Sequence, residues 1–167
     1  DDTAGGENAG SASVFTRDGA GTWTQQQQLL APDGAASDNF GRSVALSSAG
    51  DTAIVGAYFD DDKVWNSGSA YVFEKQGGWW LQTAKLLASD GAPGDQFGYS
   101  SSMSGTTVVI SSVFDDDRGQ DSGSAYVFDL TTGQELFKLT PSDGSSSDRF
   151  GKGVAVSGDT AVIGASL

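Results

Sequence analysis

Short apolar runs recur along the chain, each four to eight residues long, and the joints between them are rich in Gly, Asp, Ser and Asn. Ser43–Leu46 and Thr52–Val55 flank a glycine turn at Ser47–Asp51. Ala70–Phe73 alternates small and large residues, and Trp80–Leu87 sets apolar residues between polar ones. Val, Tyr, Phe and Thr dominate these runs, the composition of strands bounded by turns. No stretch combines a sustained 3.6-residue apolar period with an N-cap, so helix is expected to be scarce.

The pattern repeats. Gly-Ser-Ala-x-Val-Phe occurs at Gly10–Phe15, Gly68–Phe73 and Gly123–Phe128, and Asp-Gly-x-x-x-Asp-x-Phe-Gly at Asp33–Gly41, Asp90–Gly98 and Asp143–Gly151. A third apolar block, Ala53–Ala57, Val108–Ser112 and Ala161–Ala165, closes each unit. The three landmarks keep step at about 55 residues, dividing the chain into units 1–57, 58–112 and 113–167. Four strands per unit predict an all-β chain of β-propeller-type, four-stranded antiparallel blades. With strands lettered A to D from Phe-Gly onward, the chain reads C-D, A-B-C-D, A-B-C-D, A-B. The two half blades at the ends are complementary, and each leaves a strand edge open to pairing. Two or three blades also fall short of the 4–8 that close a propeller.

These motifs resemble the FG-GAP repeats found in the propeller of integrin α chains and in many secreted and surface proteins. The carrying residues are Phe40-Gly41 followed by Val55-Gly56-Ala57, and Phe150-Gly151 followed by Ile163-Gly164-Ala165. The middle unit keeps Phe97-Gly98 but has Ile110-Ser111-Ser112, where a local deviation is expected. With Gly-Ser-Ala-Tyr-Val-Phe added, the chain is most similar to the bacterial and algal branch of that family. The resemblance implies a propeller and an extracellular or cell-surface setting. It does not carry over the Asp-x-Asp-x-Asp-Gly calcium loop of integrin-type repeats. The corresponding connections, Ser47–Asp51, Ser104–Thr106 and Ser157–Asp159, are too short and hold too few carboxylates.

Composition narrows the chemistry. Without Cys or His the chain has no disulfide, thiolate nucleophile, imidazole base or Cys- or His-ligated metal. A net charge of −13 argues against nucleic acid and anionic lipid as partners and favours hard cations, basic partners or simple solubility. No apolar run approaches the ~20 residues of a membrane helix, so no membrane insertion is expected. The sequence opens at Asp1 without Met or a signal-like segment, as a processed or excised piece would.

Three groups of residues remain candidates. Asp60, Asp61 and Asp62 with Asn66, and Asp115, Asp116 and Asp117 with Asp121, form acidic loops after the second strand. Asp2 and Asn8 hold the matching places in the first unit. Such oxygens suit Ca²⁺, and clustered like charge calls for a cation; solvated turns that cap their own backbone are the alternative. The pairs Asp33/Asp38, Asp90/Asp95 and Asp143/Asp148 could bring two carboxylates together for acid–base work. Their threefold repetition favours a structural role instead, accepting backbone N–H groups ahead of Phe-Gly. Trp23 and its counterpart Trp80, together with Trp65 and Trp79, could be sugar platforms or packing residues. Gln25–Gln28 is a polar tract to which no chemistry is assigned.

The resulting expectation is a non-catalytic, extracellular structural or adhesive module. Its partners would be copies of itself or further repeats of the same parent chain, or a protein or glycan ligand. A carbohydrate-binding propeller is the alternative.

Overall fold

The computed structural model describes residues 5–166, and no described residue is helical. Twelve strands follow one another: β1 (Ala12–Arg17), β2 (Trp23–Leu29), β3 (Phe40–Leu46), β4 (Thr52–Ala57), β5 (Ser69–Gln76), β6 (Trp79–Leu86), β7 (Phe97–Ser104), β8 (Thr107–Ser112), β9 (Ser124–Asp129), β10 (Gln134–Leu139), β11 (Gly153–Ser157) and β12 (Thr160–Gly164). They pair antiparallel as β1-β2, β3-β4-β5-β6, β7-β8-β9-β10 and β11-β12. Two complete blades therefore stand between two half blades, and the sheets do not close on themselves.

Blades stack because their middle strands are apolar on both faces. In β4, Ile54 packs toward the following blade with Val72, Phe97, Val108 and Ile110. Its neighbours Ala53 and Val55 pack toward the preceding sheet with Leu29, Phe40 and Phe73. That is why β4 and β8 read as nearly continuous apolar runs, as strands covered on both faces do. Phe40 meets Tyr71 and Phe73 edge-on, with centroids 5.3 and 6.0 Å apart, and Phe97 repeats this against Tyr126 and Phe128 at 5.5 and 5.8 Å. The Phe40 and Phe97 rings thus plug their own blades and pack on the preceding sheet. Full burial of such a ring contributes about 2–3 kcal/mol.

Successive blades are also joined through the backbone. The amide of Phe40 donates to the Ala9 carbonyl, Phe97 to Ser67 and Phe150 to Ser122, at 2.8–2.9 Å. The glycine of each Gly-Ser-Ala motif makes this approach possible. Gly68 has φ +80, and a Cβ there would overlap the Phe97 carbonyl. Gly10 and Gly123 stand in the same way against Phe40 and Phe150.

The middle unit departs locally at Ser111. Both ladders shift register after the Phe-Gly, but the β3–β4 ladder resumes at Ser43↔Gly56 and the β7–β8 ladder only at Ser101↔Ile110, so Ser100 and Ser111 do not pair in it. There Ser111 Oγ accepts from the Ser100 amide at 3.0 Å. The β8–β9 ladder continues without interruption, and Ser112 Oγ is buried without a partner.

The outer faces of the stack differ sharply from matching positions inside it. Phe15 is 51% exposed, whereas its counterparts Phe73 and Phe128 are 4% and 3% exposed. Val162 is 68% exposed against 0% for Ile54 and 1% for Val109, and Val44 and Leu46 are 63% and 59% exposed. The sequence pattern is the same throughout; only the covering blade differs.

Candidate functional site

Each complete blade carries one polar cluster at the same place. Tyr71 on β5 and Lys85 on β6 are direct cross-strand partners, as are Tyr126 on β9 and Lys138 on β10. Strand alternation aims both side chains at the loop entering the third strand of the blade. That loop supplies Asp60 and Asp62 in one blade and Asp115 and Asp117 in the next. The connection from the preceding sheet supplies Asp33 or Asp90.

In the first cluster the Tyr71 hydroxyl lies 2.9 Å from Asp33 Oδ1 and 2.8 Å from Asp60 Oδ2, sharing its single hydrogen between them. Lys85 Nζ is 2.9 Å from both Asp33 Oδ2 and Asp60 Oδ2, and also pairs with Asp62. In the second, Lys138 Nζ is 2.6 Å from Asp90 and 2.7 Å from Asp115 and Asp117. Asp60 and Asp115 are buried, and each is satisfied further by a serine, Ser69 at 3.0 Å and Ser124 at 2.9 Å. The main-chain amides of Asp62 and Asp117 donate to the same carboxylates.

The charges follow from this geometry. Partial burial penalises the Asp33 and Asp90 carboxylates, but the lysine and tyrosine beside them outweigh it, and both titrate below the usual value. Burial likewise disfavours the Lys85 and Lys138 ammonium groups, yet the surrounding carboxylates hold both well above a free lysine. Burial, reinforced by the neighbouring carboxylates, raises Tyr71 and Tyr126. At neutral pH Asp33 and Asp90 are therefore ionised, both lysines charged and both tyrosines protonated. The lysines and tyrosines are thus moved away from neutral pH, where acid–base groups work.

The acidic loops that the sequence marks for Ca²⁺ divide their work. Asp60, Asp62, Asp115 and Asp117 join the clusters. Asp61 and Asp116 turn inward on their own loops and accept from the amides of Asn66 and Asp121 at 2.5 and 2.7 Å. Asn66 and Asp121 recur for a backbone reason: with Asn8 they occupy the left-handed region, at φ 50, 55 and 57. Asn and Asp tolerate that conformation best among non-glycine residues. Asp2 lies outside the described residues.

The oxygens of Asp90, Asp115 and Asp117 come within 4.8 Å of one another, an acidic cluster that could hold a metal ion. They line an open cleft of about 470 Å³ together with Asp95 and Lys138. Ca²⁺ needs 6–8 oxygens, and the Lys138 ammonium already sits on these three carboxylates. The donor set fits the ion only in place of the lysine.

The second carboxylate of each Asp-Gly-x-x-x-Asp element has a separate, structural task. Asp38, Asp95 and Asp148 accept from the amides of Ala35, Ala92 and Ser145, each at 2.7 Å, closing the turn before Phe-Gly. Burial, with the Asp115 charge adding to it and the Ala92 amide opposing, pushes Asp95 up to about 6. Trp80 is buried, whereas Trp23, Trp65 and Trp79 are exposed. Gln27, in the polar tract, bridges β2 to β6: its amide donates to the Trp80 carbonyl and accepts from the Trp80 amide, both at 2.8 Å.

Sequence reasoning missed Lys85 and Lys138. Both stand five residues before the Asp of the next element, and Tyr71 and Tyr126 recur with them. The first unit has Ser13 and Gln28 at the tyrosine and lysine positions, so the half blade β1-β2 cannot build the same cluster.

Comparison with curated proteins yields no match. The family model described as the FG-GAP repeat matches residues 23–73, 80–128 and 134–167. Those three segments cover most of the chain, and the Phe-Gly plugs and blade topology agree with them: this chain belongs to the FG-GAP repeat family.

Proposed function

We propose that the chain is a non-catalytic module acting outside the cell in a structural or adhesive role, by joining copies of itself or further repeats of the same parent chain. The observation that carries this reading is the duplication of the one candidate site. A catalytic centre is normally built once, but here the same lysine, tyrosine and carboxylates recur blade after blade and consume their hydrogen-bonding capacity on one another. Their work is to hold blades together. Proteins of this repeat family are generally not enzymes, in keeping with that role.

Calcium enters the proposal in one form only, as a competitor of Lys85 and Lys138 for the carboxylates of the Asp60–Asn66 and Asp115–Asp121 loops. A carbohydrate-binding propeller is the second reading, favoured by Trp65 and Trp79, which are large, exposed and able to cover a sugar face.

The discriminating experiment immobilises the 167-residue chain on a sensor and passes soluble chain over it, with a glycan array probed in parallel. Retention of the soluble chain without glycan signal is expected. Specific glycan binding without self-association would replace the assembling role with the lectin.

A further inference from the structure

We infer that the joint between the second complete blade and β11-β12 is a hinge. Ser111 acts as a wedge that parts the inner strands beyond Phe150, and the third unit swings about the Phe150 anchor. The hinge lies within one chain and goes beyond the assembling role, because it does not depend on what the chain joins.

The joint between the two complete blades shows what a tight fit requires. Gly56 on β4 lies so near Gly98 that a Cβ there would overlap the Gly98 carbonyl and meet Ser43 Oγ at 2.5 Å. The Ser43 hydroxyl donates to that same carbonyl at 2.9 Å. In the next joint Ser111 takes the place of Gly56 and carries the Cβ that the tight fit excludes. An extra carbon in a close-packed contact must displace its neighbour.

The neighbour is displaced. A Cβ built on Gly41 or Gly98 would overlap the carbonyl of Ser11 or Ser69. One built on Gly151 would stand 3.1 Å from the matching Ser124 carbonyl and 2.5 Å from the Ser111 Cβ. Strands β3 and β7 begin at their phenylalanines, whereas β11 begins only at Gly153. Yet the residue before the step holds its place: the Phe150 amide donates to the Ser122 carbonyl at 2.9 Å, as its counterparts do. A fixed point followed by a displaced strand is the geometry of a hinge. An incomplete neighbour does not by itself part the strands. The first half blade has only β1 and β2, and its Ser11 meets Gly41 as closely as Ser69 meets Gly98.

Polar contacts replace apolar ones along the parted strands. Between the complete blades, Ala45 packs on the apolar cluster that Met103 also joins. The ladders put Ser102 at the place of Ala45, and its Oγ accepts from the Val156 amide at 3.0 Å. Ser104 Oγ accepts from the Gly158 amide at 3.0 Å. Such bonds can be exchanged for water at small net cost, which apolar packing cannot.

The chain has no cysteine, so spin labels can be placed freely. Ser48, Thr106 and Asp159 are exposed on the β3–β4, β7–β8 and β11–β12 turns. Distances are read by double electron–electron resonance in a Ser48→Cys/Thr106→Cys chain and in a Thr106→Cys/Asp159→Cys chain, each diluted with unlabelled wild type so that only distances within one chain count. The second pair should give a distribution about twice as broad as the first. Ser111→Gly removes the wedge and should narrow the second distribution to the width of the first. Ser111→Ala keeps the Cβ and should leave it broad. Gly56→Ser transplants the wedge and should broaden the first pair; if that variant does not fold, the two Ser111 variants still decide. Equal widths in the wild type would overturn the hinge. So would a broad second distribution unchanged by Ser111→Gly, which would trace the motion to the outer position of β11-β12 instead of the wedge.

Discussion

Lys138 Nζ lies 2.7 Å from the carboxylate of Asp115, whose side chain is 4% exposed. A carboxylate so deeply placed needs a partner, and the cross-strand partner of Tyr126 supplies a cation. Lys138→Met keeps the length and the apolar stem but leaves Asp90, Asp115 and Asp117 facing one another uncompensated. Breaking one side of such a buried pair costs about 3 kcal/mol. At this chain length that should lower Tm by roughly 6–12 °C in differential scanning calorimetry. Lys85→Met should behave alike, because its cluster has the same parts. A change below 2 °C in either variant would show that the ion pairs are only surface contacts.

The same substitution tests the metal. In the wild-type chain millimolar Ca²⁺ must displace an ammonium, so Tm should change little between calcium and EDTA. In Lys138→Met the carboxylates are free to take the ion, and Ca²⁺ should restore several degrees through preferential binding to the folded state. A large calcium response in the wild type, unchanged by the substitution, would place the ion elsewhere than this cluster.

The pH dependence has a defined sign. Asp95 titrates at about 6 in the fold, above its unfolded value near 4, so the folded chain binds this proton more readily. Its contribution is favourable at low pH and is lost as pH rises from about 4 through about 6. Asp33 and Asp90 are shifted downward, and their stabilisation is lost only below about pH 4. Lys85 and Lys138 are shifted upward, and theirs is lost only above about pH 10.5. Asp95→Asn keeps an oxygen for the Ala92 amide and removes the titration. Its Tm relative to wild type should therefore be higher at pH 7.5 than at pH 4 in a series of thermal melts. A difference independent of pH would remove Asp95 as the titrating group.

Two glycines separate backbone conformation from close approach. Gly77 and Gly68 both have positive φ, at 59 and 80, but a Cβ on Gly77 would enter open space, whereas one on Gly68 would overlap the Phe97 carbonyl. Gly77→Ala should cost about 1 kcal/mol, the left-handed penalty alone. Gly68→Ala adds overpacking and should cost about 3 kcal/mol in urea denaturation. Equal costs would mean that the joint between blades yields freely.

The blades were legible because their signals are local or periodic. A Phe-Gly plug, a two-faced apolar strand and a glycine that admits a neighbouring carbonyl all leave marks within ten residues, repeated at fixed spacing. The clusters left fainter marks, because Asp33 and Lys85 are 52 residues apart and meet only through stacking. The repeated Asp and Asn of the acidic loops were visible, but their cause was divided between ion pairing at Asp60 and left-handed backbone at Asn66. Trp23 and Trp80 show the limit most simply. They hold equivalent places, yet one is exposed and the other buried, because burial depends on the blade that covers the position.

Each cluster draws Asp33 or Asp90 from the connection before its blade and the rest from the blade itself, so its bonds stitch neighbours together. Such an array behaves as a one-dimensional chain of coupled units, in which the interface contributes to the stability of both blades it joins. The two inner blades, coupled on both sides, should open in amide exchange only with the whole stack. In a single unassembled chain the outer half blades should fray on their own, and every blade added at an end would move that fraying boundary outward without altering the interior.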